Sequence, residues 1–172
     1  MPLPGHLQEA ADGDAAAGDA LCAAMEKLQG KLLIGVVNSI GVRRDARAVA
    51  GLIELAQNPS RGAAREAVLA LGRIANDEAI EFLEKTLASG PGELRSAAAE
   101  SCIQIAERVS AQGKQESAMK LYDAVGRADV PQPLRLAALR GSILSGQSPG
   151  IPLLLENLDS DDLEFREVAL GI

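Results

Sequence analysis

Residues 65–80, Arg65-Glu66-Ala67-Val68-Leu69-Ala70-Leu71-Gly72-Arg73-Ile74-Ala75-Asn76-Asp77-Glu78-Ala79-Ile80, set two apolar stripes on either side of a polar turn. Counting from Ala64, the positions Ala67, Val68, Leu71, Ile74 and Ala75 follow the i, i+3, i+4, i+7 spacing that gathers side chains on one face of an α-helix. Asn76 and Asp77 break that stripe, and Ile80, Phe82, Leu83 and Leu87 begin another. Asn and Asp accept hydrogen bonds from the free N–H groups of a helix start, so the break predicts an antiparallel helix pair, here termed A and B.

The pattern recurs along the chain. Arg95 opens Arg-Ser-Ala-Ala-Ala-Glu-Ser-Cys-Ile, Arg135 opens Arg-Leu-Ala-Ala-Leu-Arg-Gly-Ser-Ile, and Arg166 opens Arg-Glu-Val-Ala-Leu-Gly-Ile. Ile34 holds the same place upstream. The steps from Ile34 through Arg65, Arg95, Arg135 and Arg166 are 31, 30, 40 and 31 residues. Val49, Leu52, Ile53 and Ala56 supply a second B helix, and breakers such as Asn58-Pro59-Ser60, Ser89-Gly90-Pro91-Gly92 and Asp129-Val130-Pro131 separate the units. One helix pair cannot bury its own apolar faces, so successive pairs must stack. The expectation is all-α, a right-handed α-solenoid forming a single array over 1–172. Its units fall at about 30–60, 61–90, 91–129 and 130–159, with partial units at 1–29 and 160–172. The long step between Arg95 and Arg135 places about nine extra residues near 107–116, in helix A or its turn, with a flavour of tetratricopeptide helices around Ala118 and Tyr122. Asp19 to Leu28 reads as a B helix preceded by a weak A helix over Gly5 to Ala17.

Gly41 followed by Asp45-Ala46-Arg47-Ala48-Val49, and Gly72 followed by Asn76-Asp77-Glu78-Ala79-Ile80, resemble HEAT repeats, including the short variety found in phycobilin lyases. The resemblance covers about residues 30–172 and implies arrays that mostly hold other proteins, with B helices lining the concave side. It is specific for architecture and says little about activity.

Composition narrows the function. Among 172 residues, 47% are hydrophobic and 2% aromatic, with no Trp, so the core must be aliphatic. The formal charge of −7 is the wrong sign for affinity won by neutralising phosphates, which disfavours nucleic acid as partner. No stretch is apolar enough to predict a membrane span, and Met1 to Ala20 lacks the basic start and apolar centre of a signal peptide. Location is otherwise unspecified. Cys22, Cys102 and His6 are too few and too far apart for a structural zinc site, and both cysteines, lying among small residues, are expected to be free, packed thiols rather than reactive ones. Asp159-Ser160-Asp161-Asp162-Leu163-Glu164 has calcium-loop acidity without the loop's Gly and distal Glu, and reads as a helix cap. No Ser-His-Asp or Cys-His set, paired catalytic carboxylates or phosphate loop is visible, so no enzyme, cofactor or small-molecule ligand is expected.

Two residue sets remain. Arg65, Arg95, Arg135 and Arg166 are repeat-equivalent and form either a ligand-binding row or a structural ladder, with Asp45 and Asp77 as candidate acceptors. Outward positions of the B helices, Glu54, Gln57, Glu81, Glu84, Lys85, Lys120, Asp123 and Glu156, form the candidate protein-binding surface against an alternative of ordinary solubilising charge. The resulting expectation is a non-catalytic protein–protein interaction scaffold. The apolar start of a helix A at Glu164 to Ile172, with no partner helix, points to a segment of a larger, bacterial-type multidomain protein. The alternatives are a bilin-lyase or chaperone-like subunit, suggested by the resemblance, and a nucleic-acid-binding protein using Arg43, Arg44 and Arg47.

Overall fold

The computed structural model describes residues 5–146, 155, 158 and 162–171. Among them the regular structure is helical: α1 (Gly5–Lys27), α2 (Gly30–Arg43), α3 (Val49–Gln57), α4 (Ala64–Ile74), α5 (Asp77–Ser89), α6 (Gly92–Ala111), α7 (Gln115–Arg127), α8 (Gln132–Gly146) and α9 (Leu163–Leu170). Short 3-10 turns at Ala46–Ala48 and Pro59–Arg61 join α2 to α3 and α3 to α4. The deciding stretch is α4, a turn and α5. Ala75 ends α4 in the left-handed region at φ 50°, its N–H donating to the Leu71 carbonyl at 2.8 Å. Asn76 caps α5 by accepting from the Ala79 N–H at 2.9 Å, and Asp77 and Glu78 lie in the first turn, where the helix dipole favours them.

The units stack through their A helices. α2 lies on α4, α4 on α6 and α6 on α8, while α3, α5 and α7 each pack on the A helix that follows. The glycine near the end of each early A helix has a packing reason. A Cβ on Gly41 would stand 3.0 Å from the Ala70 Cα, and one on Gly72 would stand 2.5 Å from the Ser101 Cβ and Oγ. Small residues at these crossings let the helix backbones approach closely, and the buried Ser101 hydroxyl donates to the Val68 carbonyl at 3.4 Å. Leu33, Val37, Ile40, Leu52, Leu55, Val68, Leu71, Leu83 and Ile105 form the fully buried centre. Each contributes about 1.5–3 kcal/mol by leaving water, which is how a chain poor in aromatics sustains a continuous core.

Two details differ from or settle the sequence reading. α1 is one helix of 23 residues rather than a weak A helix and a separate B helix. Ala15, Ala16 and Ala17 carry the helix across the expected break, since alanine costs least in a helix interior. The extra residues near 107–116 lengthen an A helix: α6 has 20 residues against 11 in α4, and the turn before α7 is short, with Gly113 at φ 79°. Cys22 and Cys102 are free thiols, Cys102 wholly buried. The sequence-predicted B helix of the 130–159 unit and the Asp159 to Asp161 run lie outside the described residues apart from 155 and 158. Asp162 does act as a cap, accepting from the Glu164 N–H at 3.0 Å.

Candidate interaction surface

The A row is closely packed and the B row is open. α3, α5 and α7 touch one another sparingly, because most of their contacts go to the A helices. On this open side stand Glu54 and Gln57 of α3, Glu81, Glu84 and Lys85 of α5, and Lys120 and Asp123 of α7, every one exposed. Lys120 pairs with Glu116 at 2.8 Å and Asp123 with Arg127 at 2.8 Å, both one helical turn apart on α7. Glu156 lies outside the described residues.

Two clefts open at opposite ends of these helices. The first, about 800 Å³, lies where α4 and α6 begin, with Ile34, Ala56, Phe82 and Leu94 in its wall and Gln57, Lys85, Glu66 and Glu93 charged or polar around it. The second, about 580 Å³, lies where α4 and α6 end and gathers Arg44, Arg108, Lys114 and Lys120 with Asp77 and Glu84 over Ile74, Ile80, Ile105 and Leu121. Thus Gln57 and Lys85 meet at one cleft and Glu84 and Lys120 at the other, while Glu54, Glu81 and Asp123 line neither.

The arginine series reaches forward along the array, but its acceptors are not Asp45 and Asp77. Arg65 Nη2 donates to both carboxylate oxygens of Glu100 at 3.0 Å. Arg95 donates through Nε and Nη2 to the Gly90 carbonyl and through Nη1 to the Asp129 carboxylate at 2.6 Å and carbonyl at 3.1 Å. Arg135 stands over the Phe165 ring, 5.9 Å from its centroid, and Arg166 is exposed on α9. A guanidinium at a helix start can reach the next unit, so Arg65 and Arg95 find a carboxylate about one repeat downstream, while Arg95 also bonds the Gly90 carbonyl of the turn before it. Asp77 instead sits exposed in the first turn of α5.

Asp45 serves a different arginine. Arg47 Nε and Nη2 grip its two oxygens at 2.9 and 2.7 Å, and Nη1 reaches Asp19 of α1 at 2.7 Å. These hydrogen bonds hold the Asp45 carboxyl below the usual carboxylate range and keep Arg47 charged. A side chain at Gly18 would collide with the Arg47 guanidinium and the Asp45 carboxylate, so that glycine is where α1 accepts the pair. Arg47 is therefore committed within the fold rather than pooled with Arg43 and Arg44 as a phosphate-binding cluster.

Sequence reasoning missed Arg61, whose Nη2 donates to the carbonyls of Met25, Glu26 and Leu28 at 2.6, 3.2 and 3.1 Å and so caps the end of α1. It also missed contacts one long repeat apart: Arg73 Nη1 donates to Asn38 Oδ1 and Arg108 Nη1 to the Arg73 carbonyl, each at 3.1 Å and across 35 residues. The aligned positions Asn38, Arg73 and Arg108 were the available signal.

A family model for HEAT repeats matches residues 18–104, half of the chain. The chain belongs to the HEAT-repeat family. The match runs from within α1 to within α6 and so takes in both close glycine crossings and the Arg47 and Arg61 contacts with α1. HEAT repeats generally mediate protein interactions. No curated protein matches this HEAT-repeat chain. None of the helices among its described residues is long and apolar enough to cross a membrane.

Proposed function

We propose that this HEAT-repeat chain is a non-catalytic scaffold that holds a protein partner on the face formed by α3, α5 and α7. The observation that carries the reading is the openness of that row: the B helices are fixed by the A helices beneath them and leave their outer sides and the spaces between them free. A rigid face of this kind presents side chains without paying to order them at the moment of binding. The charges of Glu54, Glu81 and Glu84, interspersed with Lys85 and Lys120, then select the partner more than they add to affinity.

The test is site-specific photo-crosslinking, with a photoreactive residue placed in turn at Gln57, Glu81 and Asp123, and at the exposed Lys31 and Gly35 of α2 as the opposite row. Protein adducts from the B positions and none from α2 are the expected result. Adducts confined to α2 would place the partner on the other row and end this reading.

A further inference from the structure

The cleft at the ends of α4 and α6 has a local charge opposite to that of the chain. Four cationic side chains, Arg44, Arg108, Lys114 and Lys120, the last already paired with Glu116, face two carboxylates, Asp77 and Glu84, in a protein of net charge −7. The side chains of Arg44 and Lys114 make no hydrogen bond or ion pair among the described residues. Arg108 spends Nη1 on the Arg73 carbonyl, and burial together with the nearby Arg44 charge makes its proton easier to lose than that of an ordinary arginine. Two guanidiniums therefore stand close enough to repel, beside an aliphatic floor of Ile74, Ile80 and Ile105. An anion set between them removes the repulsion and gains charge-assisted hydrogen bonds, while an apolar neighbour on the same ligand covers the floor.

We propose that this cleft recognises an acidic segment of a partner protein in which carboxylate and aliphatic side chains alternate, a carboxylate entering between Arg44 and Arg108. The inference rests on the scaffold reading, and it names the chemistry of the partner and the end of the face where recognition occurs. The aliphatic floor favours a peptide over a nucleic acid, since a phosphate backbone offers nothing to cover the half-buried Ile74 and Ile80.

Fluorescence anisotropy with a labelled peptide of alternating Glu and Leu tests it on the full chain, with a Gln/Leu peptide and a single-stranded oligonucleotide as comparison probes. The Glu/Leu peptide is expected to bind, to weaken as salt is raised, and to lose about tenfold or more in affinity with Arg44→Glu combined with Lys114→Glu, equivalent to at least about 1.4 kcal/mol. Both replaced side chains are exposed, and Lys31→Gln, exposed on α2 and outside the cleft, should leave binding unchanged. If the double variant shows a lowered thermal midpoint, Lys114→Ala alone carries the comparison. Equal affinity for the Gln/Leu peptide, an unaltered affinity in the folded variants, or binding of the oligonucleotide alone overturns the proposal. Protein crosslinks from Gln57 and Glu81 that persist in the Arg44/Lys114 variant sink this inference and spare the scaffold. Peptide binding without any crosslink from the B face does the reverse.

Discussion

Gly72 of α4 lies directly against Ser101 of α6, so close that a Cβ on the glycine would come within 2.5 Å of the serine Cβ and Oγ. The stacking distance of two successive repeats is therefore set by the absence of one methyl group. Gly72→Ala should destabilise the array by about 1–3 kcal/mol, since overpacking outweighs the gain in helix propensity. Ser101→Gly in the same chain should recover part of that loss. Gly35→Ala, where a Cβ meets nothing within 4 Å, should instead stabilise by about 0.5–1 kcal/mol. Urea unfolding of the four chains measures the set, and a Gly72→Ala midpoint at or above that of the parent contradicts the crossing argument.

Arg61 ties α1 to the array. Its Nη2 donates to the Met25 carbonyl and is shared with those of Glu26 and Leu28, so it occupies carbonyls that the end of α1 otherwise leaves without partners. Arg61→Ala should loosen α1 by about 1–2 kcal/mol. Hydrogen exchange should quicken in α1 and stay unchanged in α6, a pattern that a general loss of stability does not produce.

The repeat-equivalent arginines should be unequal. Arg95 is 21% exposed and shared between a carbonyl and Asp129, whereas Arg65 and Glu100 are 38% and 35% exposed. Arg95→Ala is expected to cost about 1–2 kcal/mol. Arg65→Ala should cost under about 1 kcal/mol, because solvent screens the pair. Asp129→Asn should cost less than Arg95→Ala, the Asp129 side chain being 97% exposed and the Gly90 carbonyl still bonded. Thermal midpoints falling in the opposite order would refute this ranking, and an unmoved midpoint for Arg65→Ala would deny that arginine any part in holding the repeats together.

Burial pushes the Cys102 thiol up to about 12, with the Glu84 charge adding to the effect. In the unfolded chain the thiol ionises near about 8.5, so above that pH the unfolded state holds fewer protons than the native one and stability falls as pH rises toward 12. Below about pH 8 this contribution is fully present. Cys102→Ala should flatten the alkaline decline in urea midpoint. In thiol labelling of the native protein at neutral pH, Cys102 should react only after denaturant is added.

The stripe through Ala64, Val68 and Leu71, the break at Asn76 and the second stripe through Ile80 and Leu83 were legible because helical periodicity and capping act over a few residues. The position of Gly41 and Gly72 was legible as well, though the reason for it was not: the methyl that each lacks would strike a residue about 30 positions away. The candidate surface residues could be assigned to B helices by the same periodicity, but which of them share a cleft depends on how α3, α5 and α7 are spaced, a quantity fixed by the A helices beneath.

The sequence by itself determined that the chain is a row of helix pairs with an aliphatic core, because periodicity, caps and breakers are local and repeat. Tertiary structure alone decided the partners: Arg65 with Glu100, Arg95 with Asp129, Arg47 with Asp19, and Arg44 beside Arg108. A long polar side chain can satisfy itself on any nearby carbonyl or carboxylate, and only the stacked distance between repeats selects which of them lies within reach.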